Sequence, residues 1–202
     1  MASKEQLAAV VAIALGAPLV FLFTRAVADG STRYEETPLR AVLGDERYEA
    51  LRDGHGGFPH YLGNDRLAPD FTLRDKDGRP FRLADHRGRV VVLNFWSITC
   101  PPCLEEMPSL ETLAHIAEEW GDVDVVAVST DSGWDAVSAV MPPRSRLRVL
   151  FDPDKSVVNG KYGTRLYPET WVIDREGVIR FRFDGARDWS DPVVLDVIEQ
   201  FR

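Results

Sequence analysis

Val90-Val91-Val92-Leu93-Asn94-Phe95-Trp96-Ser97-Ile98-Thr99-Cys100-Pro101-Pro102-Cys103 is a β-branched and aromatic run that ends in two cysteines separated by two prolines. A continuous apolar run such as 90–96 reads as a strand covered on both faces, and so as a central one. Beyond it Met107, Leu110, Leu113, Ala114, Ala117 and Trp120 recur at helical spacing, while Glu105, Glu111, Glu118 and Glu119 take mostly other faces. That pattern predicts a long amphipathic helix. Pro108 falls inside it, removes one backbone donor and predicts a kink over residues 104–108. Cys100 and Cys103 therefore stand where a buried strand passes into a helix. Unpaired N–H groups and the positive end of the helix dipole favour a thiolate at such a point. In open α/β sheets the carboxyl ends of strands are also where sites form.

The flanking sequence fills in a sheet. Upstream, Ala68-Pro69-Asp70-Phe71-Thr72-Leu73 and Pro80-Phe81-Arg82-Leu83 surround a turn at Asp75-Lys76-Asp77-Gly78, which is a hairpin signature. Downstream, a strand over 123–128, a helix over 134–140 and a strand over 148–151 alternate as in a parallel βαβ unit. Asp152-Pro153-Asp154 reads as the start of a short helix through Lys161. Thr170–Asp174 and Val178–Phe183 form a closing antiparallel hairpin around Arg175-Glu176-Gly177, and Ser190 with Pro192 opens a terminal helix carrying Val193, Val194, Val197, Ile198 and Phe201. The fold class is α/β, with a central mixed β-sheet flanked by helices.

Composition narrows the function. The chain has 202 residues, 24 Lys+Arg against 32 Asp+Glu and a formal charge of −8. It lacks any basic stripe, so nucleic acid is not expected as a partner. Its two cysteines are both in the C-P-P-C, too few for a four-cysteine zinc site, and Leu104 stands where haem attachment requires a histidine. A dithiol redox pair remains, with Cys100 as attacking thiolate and Cys103 as resolving thiol. Pro101 and Pro102 remove two backbone donors near the sulfurs and stiffen the turn. No cofactor and no metal is expected. His55 and His60, in and after the Gly-rich break 54–57, read as solvated loop histidines.

The amino terminus bears on compartment. Residues 7–23 carry no charge and lie at the short limit for a membrane-spanning helix. They form either an uncleaved signal anchor or, with Ala26-Val27-Ala28 as cleavage site, a signal peptide. The length of the apolar stretch and the intrusion of Arg25 favour the anchor, although Lys4 before and Arg25, Arg33 and Arg40 after it run against the positive-inside pattern. Either reading places the rest outside the cytoplasm. The expected organisation is a signal segment at 1–28, a tether with a short helix at 29–66, and the domain at 67–202.

Ala68-Pro69-Asp70-Phe71, Gly88–Trp96, Cys100-Pro101-Pro102-Cys103-Leu104-Glu105-Glu106-Met107-Pro108, Tyr167-Pro168-Glu169-Thr170 and Ile173-Asp174-Arg175-Glu176-Gly177 occur in an order that resembles the thioredoxin-like superfamily. Within it the chain is most similar to the TlpA-like, membrane-tethered thiol-disulfide oxidoreductases, including those that serve cytochrome c maturation. The resemblance implies a thioredoxin-like fold with the hairpin as an N-terminal extension. It implies that Pro168 is cis and faces the cysteines, lining a substrate groove with Tyr167 and Trp96. It also implies that Glu106 is the proton-transfer or pKa-tuning carboxylate, since Asn94 stands where thioredoxins carry a titrating aspartate. The implied activity is reduction of exported proteins such as apocytochrome c, with electrons from a membrane thiol–disulfide donor. Thr99 departs from the tryptophan usual before the first cysteine, which leaves target choice open. Two other functions are available to the superfamily. A thiol peroxidase is one: Ser97 fits its motif, but Leu93 stands where its proline belongs. A copper chaperone is the other, for which His115 is the nearer candidate ligand.

Overall fold

The computed structural model describes residues 16–25, 43–48, 59–60, 67–141 and 144–202. Eight strands form one mixed sheet: β1 (Pro59–His60), β2 (Thr72–Asp75), β3 (Pro80–Arg82), β4 (Val90–Trp96), β5 (Val123–Ser129), β6 (Arg148–Phe151), β7 (Glu169–Ile173) and β8 (Ile179–Asp184). Their order is β1-β8-β7-β4-β5-β6-β2-β3. As expected from the βαβ alternation, β4, β5 and β6 are parallel, whereas β7 and β8 turn back antiparallel. The β2–β3 hairpin pairs Thr72 with Arg82 and extends the sheet beyond β6.

Every residue of β4 is buried, as its position between β7 and β5 requires. Side chains alternate across the sheet, so Val90, Val92 and Trp96 join one core cluster and Val91, Leu93 and Phe95 the other. Asn94 shares the first face. Helix α1 (Pro101–Trp120) covers that face with Cys103, Met107, Leu110, Leu113, Ala114 and Ala117. It continues through Pro108 and ends at Gly121, whose φ of 78° suits glycine and whose N–H returns to the Ala117 carbonyl. The short α2 (Trp134–Val137) and the terminal α3 (Pro192–Glu199) pack on the same face.

The second face is closed differently from the sequence expectation. No helix forms over 152–161. The Asp152 carboxylate instead takes the N–H groups of Val157 and Val158, at 2.8 Å for the latter, and Lys155 adopts a φ of 57°. Gly160 and Tyr162 each donate five residues back. These wide turns seat Val157, Val158 and Tyr162 against Phe95 and Trp171. The terminal helix is capped by Asp191, which accepts from Val193 N, rather than by Ser190, which bonds Asp188.

Part of the stretch read as a tether touches the domain. Leu43 and Tyr48 are buried in the α1-side core, Arg47 is paired with Asp196 of α3, and β1 pairs with β8. Residues 16–25 are helical and exposed apart from a half-buried Gly16. The first part of the proposed anchor, 7–15, lies outside the described residues, as do the cleavage motif 26–28 and His55. Among the described residues no helix is long and apolar enough to cross a membrane.

Candidate active site

The site lies at the carboxyl end of β4. Cys100 is the N-cap of α1, with extended backbone, and is joined to Cys103 by a disulfide with a Cα–Cα distance of 5.3 Å. Pro101 and Pro102 occupy the first two helical positions and have no N–H to offer. The Cys103 N–H is therefore the first helical donor, and it reaches the Cys100 sulfur at 3.3 Å. A thiolate on Cys100 would receive that donor together with the positive end of α1. Cys100 and Cys103 differ in access: the first is half-buried and the second fully buried, with Pro101 and Pro102 exposed between them.

One helical turn past Cys103, Glu106 points into the sheet rather than to solvent and is 2% exposed. Three donors from two parts of the chain, β4 and the 187–189 segment, converge on it. Asn94 Nδ2 of β4 reaches Oε1 at 2.8 Å, while Trp189 Nε1 and Arg187 N reach Oε2 at 2.9 and 3.1 Å. Burial nevertheless dominates and pushes the Glu106 carboxyl up from 4.5 to about 7, with the three hydrogen bonds and the nearby Arg187 charge opposing it. The same Asn94 amide donates to Thr170 Oγ1 at 2.9 Å, which ties β4, α1 and β7 into one network. Asn94 Oδ1 is buried with no hydrogen-bond partner among the described residues. Ser109 Oγ accepts from Trp189 N at 3.0 Å and holds the 187–189 segment against α1. Arg187 stacks its guanidinium over Phe183, 4.5 Å from the ring centroid. Glu106 borders a cleft of about 470 Å³ between α1 and residues 186–190.

At the start of β7, beside the carboxyl end of β4, the Tyr167–Pro168 peptide is cis, in agreement with the motif, and Pro168 is buried. Register carries it there: Phe95 pairs with Glu169, so Pro168 falls level with Trp96 at the end of β4. Tyr167 is half-buried between the two core clusters, and Leu166 beside it is 83% exposed. Glu169 is a second buried carboxylate, on the opposite sheet face. It accepts from Thr164 Oγ1, and burial raises its pKa.

Trp96 is a correction. The resemblance puts it in the substrate groove, but it is 0% exposed. The alternation that points Asn94 toward α1 points Trp96 there too, and the helix covers it. Thr99 and Pro101–Pro102 supply the exposed surface beside Cys100 instead. His115 is exposed on α1 near Glu119, about 18 Å of helix beyond Cys103 and far from both sulfurs.

Sequence reasoning missed Thr170, Arg187 and Trp189 as partners of the Glu106 network, because their separation from Asn94 and Glu106 runs to 76–83 residues. It also missed Asp131. This residue follows β5 and accepts from Ile98 N at 2.9 Å, from Ser97 Oγ at 2.9 Å and from Ser129 Oγ at 2.8 Å. No local periodicity marks any of them.

Comparison with known proteins agrees with this geometry. Residues 65–182, more than half of the chain, match the family described as AhpC/TSA. The thiol-disulfide oxidoreductase ResA of Geobacillus thermodenitrificans is 37% identical over 126 residues, which cover 61% of this chain and 71% of that protein. The thioredoxin-like protein YneN of Bacillus subtilis is 36% identical over 116 residues, 56% of this chain and 66% of that one. Among solved structures, a putative thiol:disulfide interchange protein DsbE from Chlorobium tepidum aligns with a TM-score of 0.60 at 27% identity, over 70% of this chain and 99% of that chain. With a C-P-P-C disulfide at a helix N-terminus, a cis proline level with the end of β4 and these relatives, the chain belongs to the AhpC/TSA family of thioredoxin-like proteins and is a thiol-disulfide oxidoreductase.

Proposed function

We propose that this oxidoreductase works outside the cytoplasm as a reductant of exported proteins, with the oxidised C-x-x-C-H of an apocytochrome c as target class. A dithiol donor in the membrane would recharge it, and residues 7–23 would tether it there if they are retained. The observation that carries the reducing direction is the buried carboxyl of Glu106 one turn beyond the buried Cys103. A carboxylate close to a buried thiol disfavours the thiolate, so the dithiol is not stabilised in the way that makes a strong oxidant.

The electron count follows from two exchanges. The Cys100 thiolate attacks one sulfur of the target disulfide, forming a mixed disulfide and releasing the other target sulfur as a thiolate, which takes a proton from water. Cys103 then gives its proton to the Glu106 carboxylate and attacks the Cys100 sulfur. The second target sulfur leaves as a thiolate and takes a proton from water, the Cys100–Cys103 disulfide forms, and two electrons have passed to the target. A carboxyl with a pKa of about 7 can accept that proton and release it near neutral pH. Solvent in the cleft along α1 offers the exit. Leu93, buried in the middle of β4 where a peroxidatic motif needs proline, weighs against peroxide as the oxidant.

Two measurements test the reading. Equilibration with glutathione is expected to give a potential nearer the roughly −270 mV of thioredoxin than the roughly −120 mV of a disulfide-forming enzyme. A value above about −180 mV would overturn the reducing direction. The Cys103→Ala variant is expected to trap a covalent adduct through Cys100 with an oxidised C-x-x-C-H peptide. Failure to trap it would sink the target class.

A further inference from the structure

The turn that delivers Cys100 is held by a carboxylate on another strand. Residues 97–99 leave β4 and connect to the N-cap of α1, and on their own they make one backbone hydrogen bond, from Cys100 N to the Ser97 carbonyl at 3.1 Å. Asp131 supplies the rest. Its Oδ2 takes the Ile98 N–H, and its Oδ1 takes the Ser97 hydroxyl. Ser97 Oγ in turn accepts the Thr99 N–H at 3.3 Å and lies 3.0 Å from Thr99 Oγ1, so the hold passes to the residue directly before the cysteine. Asp131 is itself anchored. Ser129, fully buried at the end of β5 and paired with Trp96 in the sheet, exchanges two hydrogen bonds with it, Oγ to Oδ2 at 2.8 Å and Asp131 N to Oγ at 3.0 Å. The next residue back, Thr130, returns its N–H to the Trp96 carbonyl at 3.1 Å.

We propose that Asp131 is a positioning residue for Cys100: through Ser97 and Ile98 it fixes the approach of the reactive cysteine to Cys103 and so sets how readily the disulfide closes. Cys103 needs no such help, because it is packed inside α1. Cys100 sits at the helix edge, and its freedom depends on the turn before it. The equilibrium in question is protein disulfide plus two glutathione thiols giving protein dithiol plus glutathione disulfide. Its constant measures the effective concentration of one protein sulfur at the other, which falls when either is loosely held. The inference rests on the dithiol chemistry alone and not on the target or direction proposed above.

The test is that equilibrium, measured for the full chain with Asp131→Asn and, separately, Ser97→Ala, alongside the melting temperature. An asparagine has one acceptor where the carboxylate has two, so one arm of the hold is lost. Ser97→Ala cuts the arm that reaches Thr99 and keeps the charge. Both variants are expected to shift the constant about three- to ten-fold toward the dithiol, or about 15–30 mV. A lower melting temperature with an unchanged constant in both would make Asp131 a structural tie only and overturn the proposal. A shift in Asp131→Asn with none in Ser97→Ala would also overturn it, because charge rather than placement would then be the cause. If Asp131→Asn does not fold, Ser97→Ala decides alone.

Discussion

Replacing Glu106 by glutamine removes one titrating group and keeps its shape, and the structure fixes the sign and size of the effect on stability. In the folded protein burial raises this carboxyl from 4.5 to about 7. Between those values the folded state holds a proton that the unfolded chain has lost, so unfolding releases it and stability falls as pH rises. The stabilisation is fully present below pH 4.5 and gone above about 7. At 1.36 kcal/mol for each pH unit the loss is on the order of 3 kcal/mol, or about 6–12 °C in Tm for a chain of this size. The new amide would be tolerated, because Asn94 Oδ1, buried with no hydrogen-bond partner among the described residues, can turn to receive it while Trp189 and Arg187 still donate to the remaining oxygen. The assay is urea unfolding of the oxidised wild type and Glu106→Gln at about pH 4, 5.5 and 7.5, values that bracket the two pKa limits. Asp152 and Glu169 are also raised by burial, but wild type and variant share them and they cancel in the difference. The expected result is that wild type loses about 3 kcal/mol relative to the variant across the window. A flat difference, or one in which wild type gains with pH, would refute the buried, raised carboxyl.

Trp189→Phe removes one of the donors to ionised Glu106 while keeping a ring against Phe183, which lies 5.4 Å away between centroids. A hydrogen bond to a charged group is worth about 1.5–3 kcal/mol, so the upper limit of the same pH window, set by the folded-state pKa, should climb by about one to two pH units while the lower limit stays put. An unmoved upper limit would show that the indole does not hold the charge. Leu110→Ala empties a fully buried position between α1 and the sheet, and should cost about 2–5 kcal/mol in urea unfolding without altering the glutathione equilibrium. A change in that equilibrium would mean that packing along α1, and not the local groups, sets the redox chemistry.

The elements legible in the sequence are those with a local period. The continuous run 90–96, the helical spacing from Met107 to Trp120 and the hairpin turns all describe neighbours a few residues apart, and all three form where expected. The cis proline is implied by the motif rather than by any period. Trp96 is misplaced by that same motif, whereas the strand pattern alone requires both faces of β4 to be covered. The helix expected over 152–161 fails because the side chain that would cap it, Asp152, binds N–H groups five and six residues on and closes a wider turn. Around Glu106 the legible part is the carboxylate and Asn94, 12 residues apart on adjacent elements. Thr170, Arg187 and Trp189 reach the network only through the register of β7 and the path of the chain after β8, and neither leaves a mark in composition or spacing.

The two sulfurs are made unequal by the elements that hold them, and that inequality orders the reaction. Cys100 stands half-buried at the helix edge, with the Cys103 N–H, which also donates to the Cys100 carbonyl, 3.3 Å from its sulfur. Cys103 is sealed on the sheet side with a carboxyl of pKa about 7 one turn away. A thiolate is therefore favoured where a target can reach it and disfavoured where none can. In the reading proposed above, attack begins at Cys100 and Cys103 becomes nucleophilic when its proton moves to Glu106. Such an order would protect the enzyme from idle oxidation at the buried sulfur and make the second step depend on the protonation of a single carboxyl. The rate at which Cys103 resolves a mixed disulfide formed at Cys100 should therefore rise with pH through about 7 in wild type and lose that inflection in Glu106→Gln.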